Sequence, residues 1–529
     1  AYQIHQQGEH GMKVKIERLT GQQIYYGVLA GAKRLINNRQ LLNKINVFPV
    51  PDGDTGSNLA SLMKTIVQEI KLQNSSPQIM NQVAEAALKG ARGNSGIIFA
   101  QFLNGLAVEL KSEQQISVTN FSESVNRAVP YVYQAVSNPV EGTMITVIRD
   151  WAEAVNELKA STDDFKELFA QSIKAAETPL QNTALKLDAL KKAQVVDAGG
   201  KGFVNFLEGI RDFLVGKEEI AQIQKVMSTT EVETADYHSE KIKSPGAIEF
   251  RYCTEILAED LQFSLAEIRS KLEDYGDSLV LAGTKKQLRL HIHTNQPAEV
   301  VYDLSRWGTV TEQKVDDMQK QAAVVNNRQQ KVALVTDSIA DLPQELIEEY
   351  QIQVIPLHLS VAGNNYLDKL TVTPDKFYSL LEEAEIAASS SQPSLKQVDN
   401  LFSFLSSHYQ SILVITVSQE LSGTWNVVRQ AANRYQEKDV DIEIINSQLN
   451  SGAQGLVVLE AAEMIASGCP QEEIVEQIKE LIGRTEIFVN VGTLEYMVRG
   501  GRLSRPAGWL GKLVNLKPII SLNDTGSGT

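Results

Sequence analysis

The N-terminal part of the chain has the hydrophobic period of amphipathic helices. Over residues 16–226, apolar side chains recur at intervals of three and four positions, which places them on one face of a helix. The clearest stripe consists of Leu59, Leu62, Met63, Ile66 and Ile70. The same period recurs at residues 83–88, 102–110, 151–158 and 203–213. The pattern predicts an all-helical bundle for this part of the chain.

The pattern changes after this helical part. Residues 227–246 are polar and charged without an apolar period, which is typical of a linker. Beyond it, short runs of alternating and apolar residues predict strands, and helical stretches lie between and after them. The predicted strands are 248–256, 278–282 and 287–294, and the predicted helices are 265–272 and 298–307. Residues 247–326 are therefore predicted to form a small α+β domain.

The last part of the chain alternates short apolar runs with amphipathic segments. Strands buried on both faces of a parallel sheet are continuously apolar, and helices connect them. The predicted strands are 332–336, 354–359, 412–417, 442–445 and 487–491, and the predicted helices are 343–350, 424–435 and 455–466. We therefore expect residues 331–529 to form an α/β domain.

Composition and charge narrow the class of protein. The 529 residues are 43% hydrophobic, which is enough for several buried cores, and their formal net charge of −15 disfavours a general nucleic-acid or anionic-membrane surface. We find no apolar run of the roughly 18 residues that a membrane helix needs. Residues 1–11 lack the features of a secretory signal and are interpreted as an added leader before a natural start at Met12. Two distant cysteines, Cys253 and Cys469, indicate a reducing, cytoplasmic location without a disulfide framework.

The densest chemical signal lies in a Pro- and Gly-rich loop just before the predicted helix that contains Leu59. Asp52 and Asp54 offer two carboxylates separated by one glycine, and Asn46 can add an amide oxygen. These hard oxygen ligands suit Mg²⁺. The next residues open the helix, where backbone N–H groups favour an anion, and they are Gly56, Ser57 and Asn58.

An Asx-rich turn that caps the helix without a metal is the alternative interpretation of this loop. Two further glycine-rich loops, at residues 90–96 and 197–202, also precede predicted helices. Packing alone does not require three such loops in one helical domain. The sequence therefore favours an anion and metal site over a simple cap.

A pair of histidines marks the middle domain. In the predicted strand 287–294, His291 and His293 face the side opposite Leu288, Leu290 and Ile292. Cys253 could add a thiolate, and one cysteine with two histidines would leave the fourth position of a zinc ion open. Ordinary surface or core histidines are the alternative.

Three hydroxyl-rich segments of the last domain, at residues 336–338, 389–394 and 421–424, are expected where strands end and helices begin. In open α/β sheets, ligands bind at the carboxyl ends of the strands. Hydroxyl and N–H groups at this edge can hold a carboxylate without a full balancing charge. Helix N-capping is the alternative for each segment.

The helical part closely resembles the nucleotide-binding subunit of dihydroxyacetone kinases, and more specifically the kinase component of bacterial fatty acid kinase. The resemblance covers about residues 12–214 and depends on segments 46–58, 93–96, 141–144 and 197–200. It implies an antiparallel helical barrel that holds ATP through two Mg²⁺ ions. The implied metal ligands are Asp52 and Asp54, with Asn46 at or near the place of a third acid. The resemblance implies that the nucleotide is lined by Ser95, Gly96, Thr143 and Met144 and that Asp197, Gly199 and Gly200 lie by its base or ribose. Further expected nucleotide contacts are Gly56, Ser57, Asn58 and Asn94.

One departure from dihydroxyacetone kinases bears on the substrate. Those enzymes use three aspartates, whereas this loop has two and Asn46. We also find no segment that resembles their substrate-binding component. Both observations disfavour dihydroxyacetone as the acceptor.

Residues 247–321 are similar to the middle domain of fatty acid kinases through segments 251–255 and 291–294. This similarity implies a zinc site formed by Cys253, His291 and His293, and a role in forming a homodimer.

The last domain is similar to the DegV family of fatty-acid-binding proteins, also through segments 494–504 and 517–520. By that likeness, Ser390 and Ser422 would hold the acyl carboxylate beside Gly423 and Thr424. Arg502 would lie near the face that meets the kinase. Asn446 stands where this family usually has Asp. The family continues beyond the last strand found here, so we expect this domain to be incomplete.

These observations together predict an ATP-dependent fatty acid kinase that forms an acyl phosphate, with Asp52, Asp54 and Arg502 as catalytic residues. Partner expectations are a fatty acid, a second copy of the chain, and a separate fatty-acid-binding protein or acyltransferase. The alternatives are a dihydroxyacetone-type kinase with a regulatory lipid-binding domain, and a lipid-binding protein without turnover.

Overall fold

The protein is described here by a computed structural model. It defines residues 15–48, 53–218, 248–383, 388–435, 440–493 and 519–528. The predicted linker 227–246 and the predicted catalytic residues Asp52 and Arg502 lie outside the described residues.

The N-terminal region is helical, as predicted. Its helices are α1 (Gly21–Asn37), α2 (Arg39–Lys44), α3 (Thr55–Glu69), α4 (Ser76–Gly90), α5 (Gly93–Glu109), α6 (Val118–Ala135), α7 (Met144–Leu158), α8 (Phe165–Lys186), α9 (Asp188–Ala193) and α10 (Ala198–Leu214). Two short strands, β1 (Arg18–Leu19) and β2 (Ile116–Ser117), pair antiparallel. The predicted stripe on α3 is buried, with Leu59, Leu62, Met63 and Ile66 each fully inaccessible to solvent.

The helices close into a ring around an aromatic core. Neighbouring long helices pack against each other, and α10 packs against α1, α7 and α8. In the centre, Phe203 makes edge-to-face contacts with Phe99, Phe102 and Trp151. The first and last helices of the ring approach so closely that a Cβ on Gly209 would lie 2.5 Å from the Ala30 carbonyl oxygen. This close approach explains a glycine in the middle of α10.

The middle region forms a four-stranded sheet with the order β4-β5-β3-β6. Its strands are β3 (Tyr252–Glu259), β4 (Gly276–Gly283), β5 (Gln287–Thr294) and β6 (Thr309–Asp317), and its helices are α11 (Leu265–Leu272), α12 (Pro297–Trp307) and α13 (Met318–Asn326). The predicted α+β class is confirmed. The sequence did not indicate β6, because that strand is mostly polar and only Val310 is fully buried.

The C-terminal region is an α/β domain built on a parallel sheet with the order β13-β12-β7-β8. Its strands are β7 (Val332–Asp337), β8 (Gln353–Ile355), β12 (Ser411–Thr416) and β13 (Asp441–Asn446). A second sheet has the order β10-β9-β11 and contains β9 (His358–Val361), β10 (Asn364–Leu367) and β11 (Ser389–Ser391). The helices are α14 (Gln344–Glu349), α15 (Pro374–Glu383), α16 (Leu395–Ser406), α17 (Thr424–Ala432), α18 (Ser451–Ala466) and α19 (Gln471–Ile482).

Two predicted strands of this domain differ from the structure. The predicted strand 354–359 is divided at Pro356, which has no N–H for a sheet, so β8 and β9 belong to different sheets. The prediction of a buried parallel strand at 487–491 was wrong. Only β14 (Val489–Asn490) forms there, and it is exposed and pairs antiparallel with β15 (Ile519–Ile520).

Among the helices that the structure describes, none is both long enough and apolar enough to cross a bilayer.

Candidate functional site

A buried hydrogen bond joins Asn46, at one end of the predicted magnesium segment, to the start of α3. The Thr55 hydroxyl donates to Asn46 Oδ1 at 2.8 Å, and both residues are buried. Asp54 stands immediately before α3, yet its side chain makes no capping hydrogen bond to that helix. The structure therefore brings Asn46 beside the start of α3, next to Asp54. The metal role of these two residues stays a prediction.

The next residues of the motif dock α2 against α3. Asn43 exchanges two hydrogen bonds with Ser57, accepting from its backbone N–H at 3.0 Å and donating to its hydroxyl at 3.0 Å. A Cβ on Gly56 would collide with the Arg39 carbonyl oxygen. The Asn58 N–H bonds to the Asp54 carbonyl at 2.8 Å. The N–H groups of Ser57 and Asn58, which we expected to favour an anion, already donate to neighbouring oxygens.

The starts of three other helices meet at one point. A Cβ on Gly199, in the first turn of α10, would lie 2.9 Å from Ser95 Oγ and 3.2 Å from Met144 Cβ. Ser95 lies in the first turn of α5, and Met144 is the first residue of α7. Helix N-termini carry partial positive charge and unpaired N–H groups. The arrangement can thus receive an anionic ligand, as the sequence predicts.

Asp197 connects two of these helix starts through hydrogen bonds to its carboxylate. Its buried carboxylate accepts from the N–H of Gly200 at 2.7 Å and from the N–H of Met144. Its own N–H donates to Thr183 Oγ1 at 2.9 Å, which joins α10 to α8. Burial raises the pKa of Asp197 to about 6, against the opposing effect of the two N–H donors. Its first role is therefore to hold α7, α8 and α10 in register.

The start of α5 contributes a second marker of a binding site. Asn94 Oδ1 is buried and has no hydrogen-bond partner among the described residues. Gly93 has a positive φ of 57°, and a Cβ there would collide with the Asn58 amide. A buried amide oxygen without a donor is costly unless a ligand or water supplies one. The site therefore fits a bound group with N–H or O–H donors, such as a nucleotide.

The loop before α7 depends on Glu141, which lies in the motif segment 141–144, and on partners of Glu141 that the sequence did not point to. Glu141 accepts hydrogen bonds from Tyr133 at 2.8 Å, Thr146 at 2.7 Å and Arg149 at 2.9 Å. Burial alone would raise the pKa of Glu141, but these donors and the Arg149 cation lower it overall. Thr143 closes the loop by donating to the Val140 carbonyl at 2.7 Å. Such a network forms between helices, so sequence spacing could not indicate it.

The three predicted zinc ligands lie together in the middle sheet. One ligand atom from each of Cys253, His291 and His293 lies within 4.8 Å of the other two. His291 is buried, and His293 Nδ1 lies 3.2 Å from the Asp277 carboxylate. A carboxylate that orients a ligand histidine is a common partner in zinc sites. The cluster fits a metal, and the identity of that metal stays a prediction.

Three of the predicted acyl-carboxylate residues, Ser422, Gly423 and Thr424, lie together at the start of α17. A Cβ on Gly423 would collide with the Gln392 amide, so the loop before α17 contacts the residue that follows β11. Ser422 Oγ lies 2.9 Å from Thr424 Oγ1 and accepts from the Thr424 N–H at 3.3 Å. Ser390 is in the middle of β11 and is exposed. Gln392 was not predicted, although it directly follows the serine run.

Two polar side chains, the buried Asp337 and the partly exposed Asn446, hold the loop that leads to Ser422. Asp337, at the end of β7, accepts from the Val417 N–H at 2.7 Å. Asn446, at the end of β13, accepts from the N–H groups of Gln419 at 3.1 Å and Gln448 at 3.2 Å. An amide oxygen performs this task as a carboxylate oxygen would. The Asp that the DegV family usually has can therefore be replaced here by Asn446.

Family comparisons assign the three regions in turn. Residues 49–212 match the DAK2 domain family, which defines the class of the helical region. Residues 249–325 match the FakA-like middle domain family of fatty acid kinase. Residues 331–528 match the family of uncharacterised proteins called DegV. The chain is thus a fusion of a DAK2 domain, a FakA-like middle domain and a DegV domain.

Curated relatives have no assigned role in their names. An uncharacterized protein of Staphylococcus epidermidis is 32% identical over 354 residues, which cover 63% of this chain and 64% of the relative. An uncharacterized protein of Staphylococcus aureus strain USA300 is 33% identical over 325 residues, covering 60% of this chain and 59% of the relative. The chain thus spans less than two thirds of the length of these relatives.

Solved structures of fatty-acid-binding proteins are similar to part of this chain. A fatty-acid-binding DegV family protein from Thermus thermophilus is 30% identical, with a TM-score of 0.35, over 37% of this chain and 69% of that protein. The fatty acid kinase B3 protein of Streptococcus pneumoniae, loaded with linoleic acid, is 23% identical, with a TM-score of 0.34, over 37% and 70%.

Proposed function

We propose that this protein is an ATP-dependent kinase that phosphorylates the carboxylate of a fatty acid to an acyl phosphate. The observation that carries this proposal is the convergence of Ser95, Met144 and Gly199 at three helix starts in the DAK2 domain. Because the adjoining middle domain is of the fatty acid kinase type, a fatty acid is the acceptor that this fusion favours.

A fatty acid carboxylate needs no chemical activation by the protein to accept the phosphoryl group. A carboxylate is already ionised at pH 7, so its oxygen can attack the γ-phosphorus of ATP without a general base. Catalysis then depends on positioning and on neutralising phosphate charge. Bound Mg²⁺ would supply most of that neutralisation, held by Asp52 and Asp54 with help from Asn46. The helix starts at Ser95, Met144 and Gly199 would orient the nucleotide.

The DegV domain would present the acyl carboxylate. The hydroxyl groups of Ser390, Ser422 and Thr424 and the N–H groups at the start of α17 offer donors for this anion. Arg502 is a candidate for neutralising charge on the transferred phosphate.

Acyl phosphate trapping tests the proposal. Incubation with ATP, Mg²⁺, a long-chain fatty acid and hydroxylamine should yield an acyl hydroxamate, measured by mass spectrometry. The double variant Asp52→Asn/Asp54→Asn should lose this product while keeping its helical circular dichroism. Asp163→Asn serves as the matched control, since Asp163 is an exposed aspartate that pairs with Lys15. Product formation by the double variant at the wild-type rate would contradict the assignment.

The DAK2 match keeps one alternative open for the same assay. A dihydroxyacetone-type kinase would transfer phosphate from ATP to dihydroxyacetone and leave fatty acids unchanged. Parallel turnover with each acceptor separates the two activities. ATP binding without transfer to either acceptor would favour a lipid-binding protein without turnover.

A further inference from the structure

The loop at residues 136–143 connects α6 to α7 and ends at the candidate nucleotide site. Its last residue, Thr143, precedes Met144, whose N–H donates to Asp197. The position of this loop therefore determines where the start of α7 stands. The contacts that fix the other end of the loop therefore affect the geometry of the nucleotide site.

That other end is held by Arg269, a residue of α11 in the middle domain. Its guanidinium donates to the carbonyl oxygens of Gln134 at 2.6 Å and Ala135 at 2.7 Å, in the last turn of α6. It also donates to Ser137 Oγ at 2.5 Å. The last carbonyl groups of a helix lack partners within the helix and carry partial negative charge, so a cation there is favourable. One side chain thus caps α6 and fixes the first residues of the loop.

Strand β4 makes a second set of contacts with the first residues of the loop. Val136 forms an antiparallel bridge with Val280, and the Ser137 N–H donates to the Leu279 carbonyl at 3.2 Å. Arg269, Leu279 and Val280 belong to the same compact unit as the helical ring. The middle domain therefore fixes the start of the loop through both the Arg269 side chain and strand β4.

A short series of contacts connects the end of α6 to the end of the loop at the nucleotide site. Tyr133 lies in the last turn of α6, directly before the carbonyl groups that Arg269 binds. Its hydroxyl donates to Glu141, which also bonds to Thr146 and Arg149 of α7. A shift of the end of α6 would thus move Glu141 and the start of α7 together.

We propose that Arg269 is a positioning residue for ATP, through which the middle domain sets the nucleotide loop of the DAK2 domain. The inference rests on the proposed function, because it names a residue that tunes the same site. In this role Arg269 contacts the end of α6 and neither nucleotide nor acceptor. It acts by fixing the end of α6, and so the loop at residues 136–143 that leads to Met144.

Steady-state kinetics with ATP as the varied substrate test this role. Arg269→Ala should raise the KM for ATP about five- to tenfold, with kcat changed less than about twofold. Arg269→Lys should recover part of the loss, because it keeps a cation at the end of α6 but loses the planar fork of donors. Arg127→Ala is the matched control, since Arg127 is also on α6 but pairs with Glu109 on the surface. It should leave the KM unchanged.

Direct binding of a fluorescent ATP analogue separates the outcomes. If the wild type binds no nucleotide, the proposed function is wrong and this inference fails with it. If the wild type binds and a folded Arg269→Ala binds equally well, only the positioning role is wrong. If Arg269→Ala does not fold, Ser137→Ala decides, because it removes one acceptor of Arg269 and leaves both α6 carbonyl groups capped. Unchanged ATP affinity in that variant would also overturn the role.

Discussion

At the scale of single residues, Gly199 lies where the helix starts of the candidate nucleotide site are closest. Alanine normally stabilises a helix relative to glycine. Here, however, the added Cβ would press on Ser95 Oγ at 2.9 Å and Met144 Cβ at 3.2 Å. Spreading these helix starts should harm ligand binding more than folding.

We therefore expect Gly199→Ala to raise the Kd for ATP about tenfold, which corresponds to roughly 1.4 kcal/mol. Isothermal titration measures the affinity, and thermal unfolding checks that the ring remains intact. Gly452→Ala is the control, because Gly452 is also near a helix start but has no atom within 4 Å of its added Cβ. An ATP affinity equal to wild type in Gly199→Ala would show that these helix starts do not contact the bound nucleotide.

Asp197 makes stability depend on pH in a direction unusual for a carboxylate. Its folded-state pKa of about 6 lies above the ordinary value of 3.8, so the folded protein retains this proton when the unfolded chain releases it. Stability from this group is full below about pH 4 and is lost as pH rises to about 6. The loss amounts to at most about 3 kcal/mol, at about 1.4 kcal/mol per pKa unit.

Asp197→Asn keeps a capping oxygen but cannot ionise. Thermal unfolding of both proteins between pH 4 and pH 7 should therefore show the variant gaining on the wild type up to about pH 6 and keeping a constant difference above it. A difference in Tm that does not vary with pH would contradict the raised pKa.

At the scale of helices and strands, the sequence was informative wherever one pattern determined the element. The stripe at Leu59, Leu62 and Ile66 predicted α3 because a buried helix face repeats every three to four residues. The sequence did not predict strand β6, since its faces are mostly polar. The Ser57 contact with Asn43 and the approach of Gly199 to Ser95 join residues that are distant in sequence. Only the packed ring creates them, so motif spacing pointed to the site residues but not to their partners.

The middle sheet offers a prediction at this scale. Cys253 on β3 and the two histidines on β5 are on different strands, so a bound zinc ion would fasten these strands together. Purified wild type should contain about one zinc per chain by mass spectrometry of the metal, and Cys253→Ser should contain far less and unfold at a lower temperature. Cys469→Ser, which changes the other cysteine, should match the wild type in both measurements. Equal zinc content in the two variants would exclude Cys253 as a ligand.

At the scale of the whole molecule, the proposed reaction divides between two separable sites. Ser422 contacts Thr424 at the start of α17 and belongs to the DegV domain, whereas the nucleotide residues belong to the DAK2 domain. Ser422→Ala should raise the KM for fatty acid about tenfold, through loss of a hydrogen bond to a charged group, and leave ATP affinity unchanged. Acyl hydroxamate formation and ATP titration measure the two effects. Ser406→Ala, at the end of α16, is the control; equal effects of the two variants would contradict a carboxylate site at Ser422.

The close contact between α1 and α10 at Gly209 also affects how the protein is made. The ring closes only when its last helix packs on its first, so the contact joins segments almost two hundred residues apart. During synthesis, the ribosome releases α1 long before α10. A nascent chain that ends before Ala198 would lack both the closing helix and the start of α10 in the nucleotide site. Nucleotide binding should therefore appear only after α10 has left the ribosome, and until then the apolar face of α1 has no permanent partner in α10.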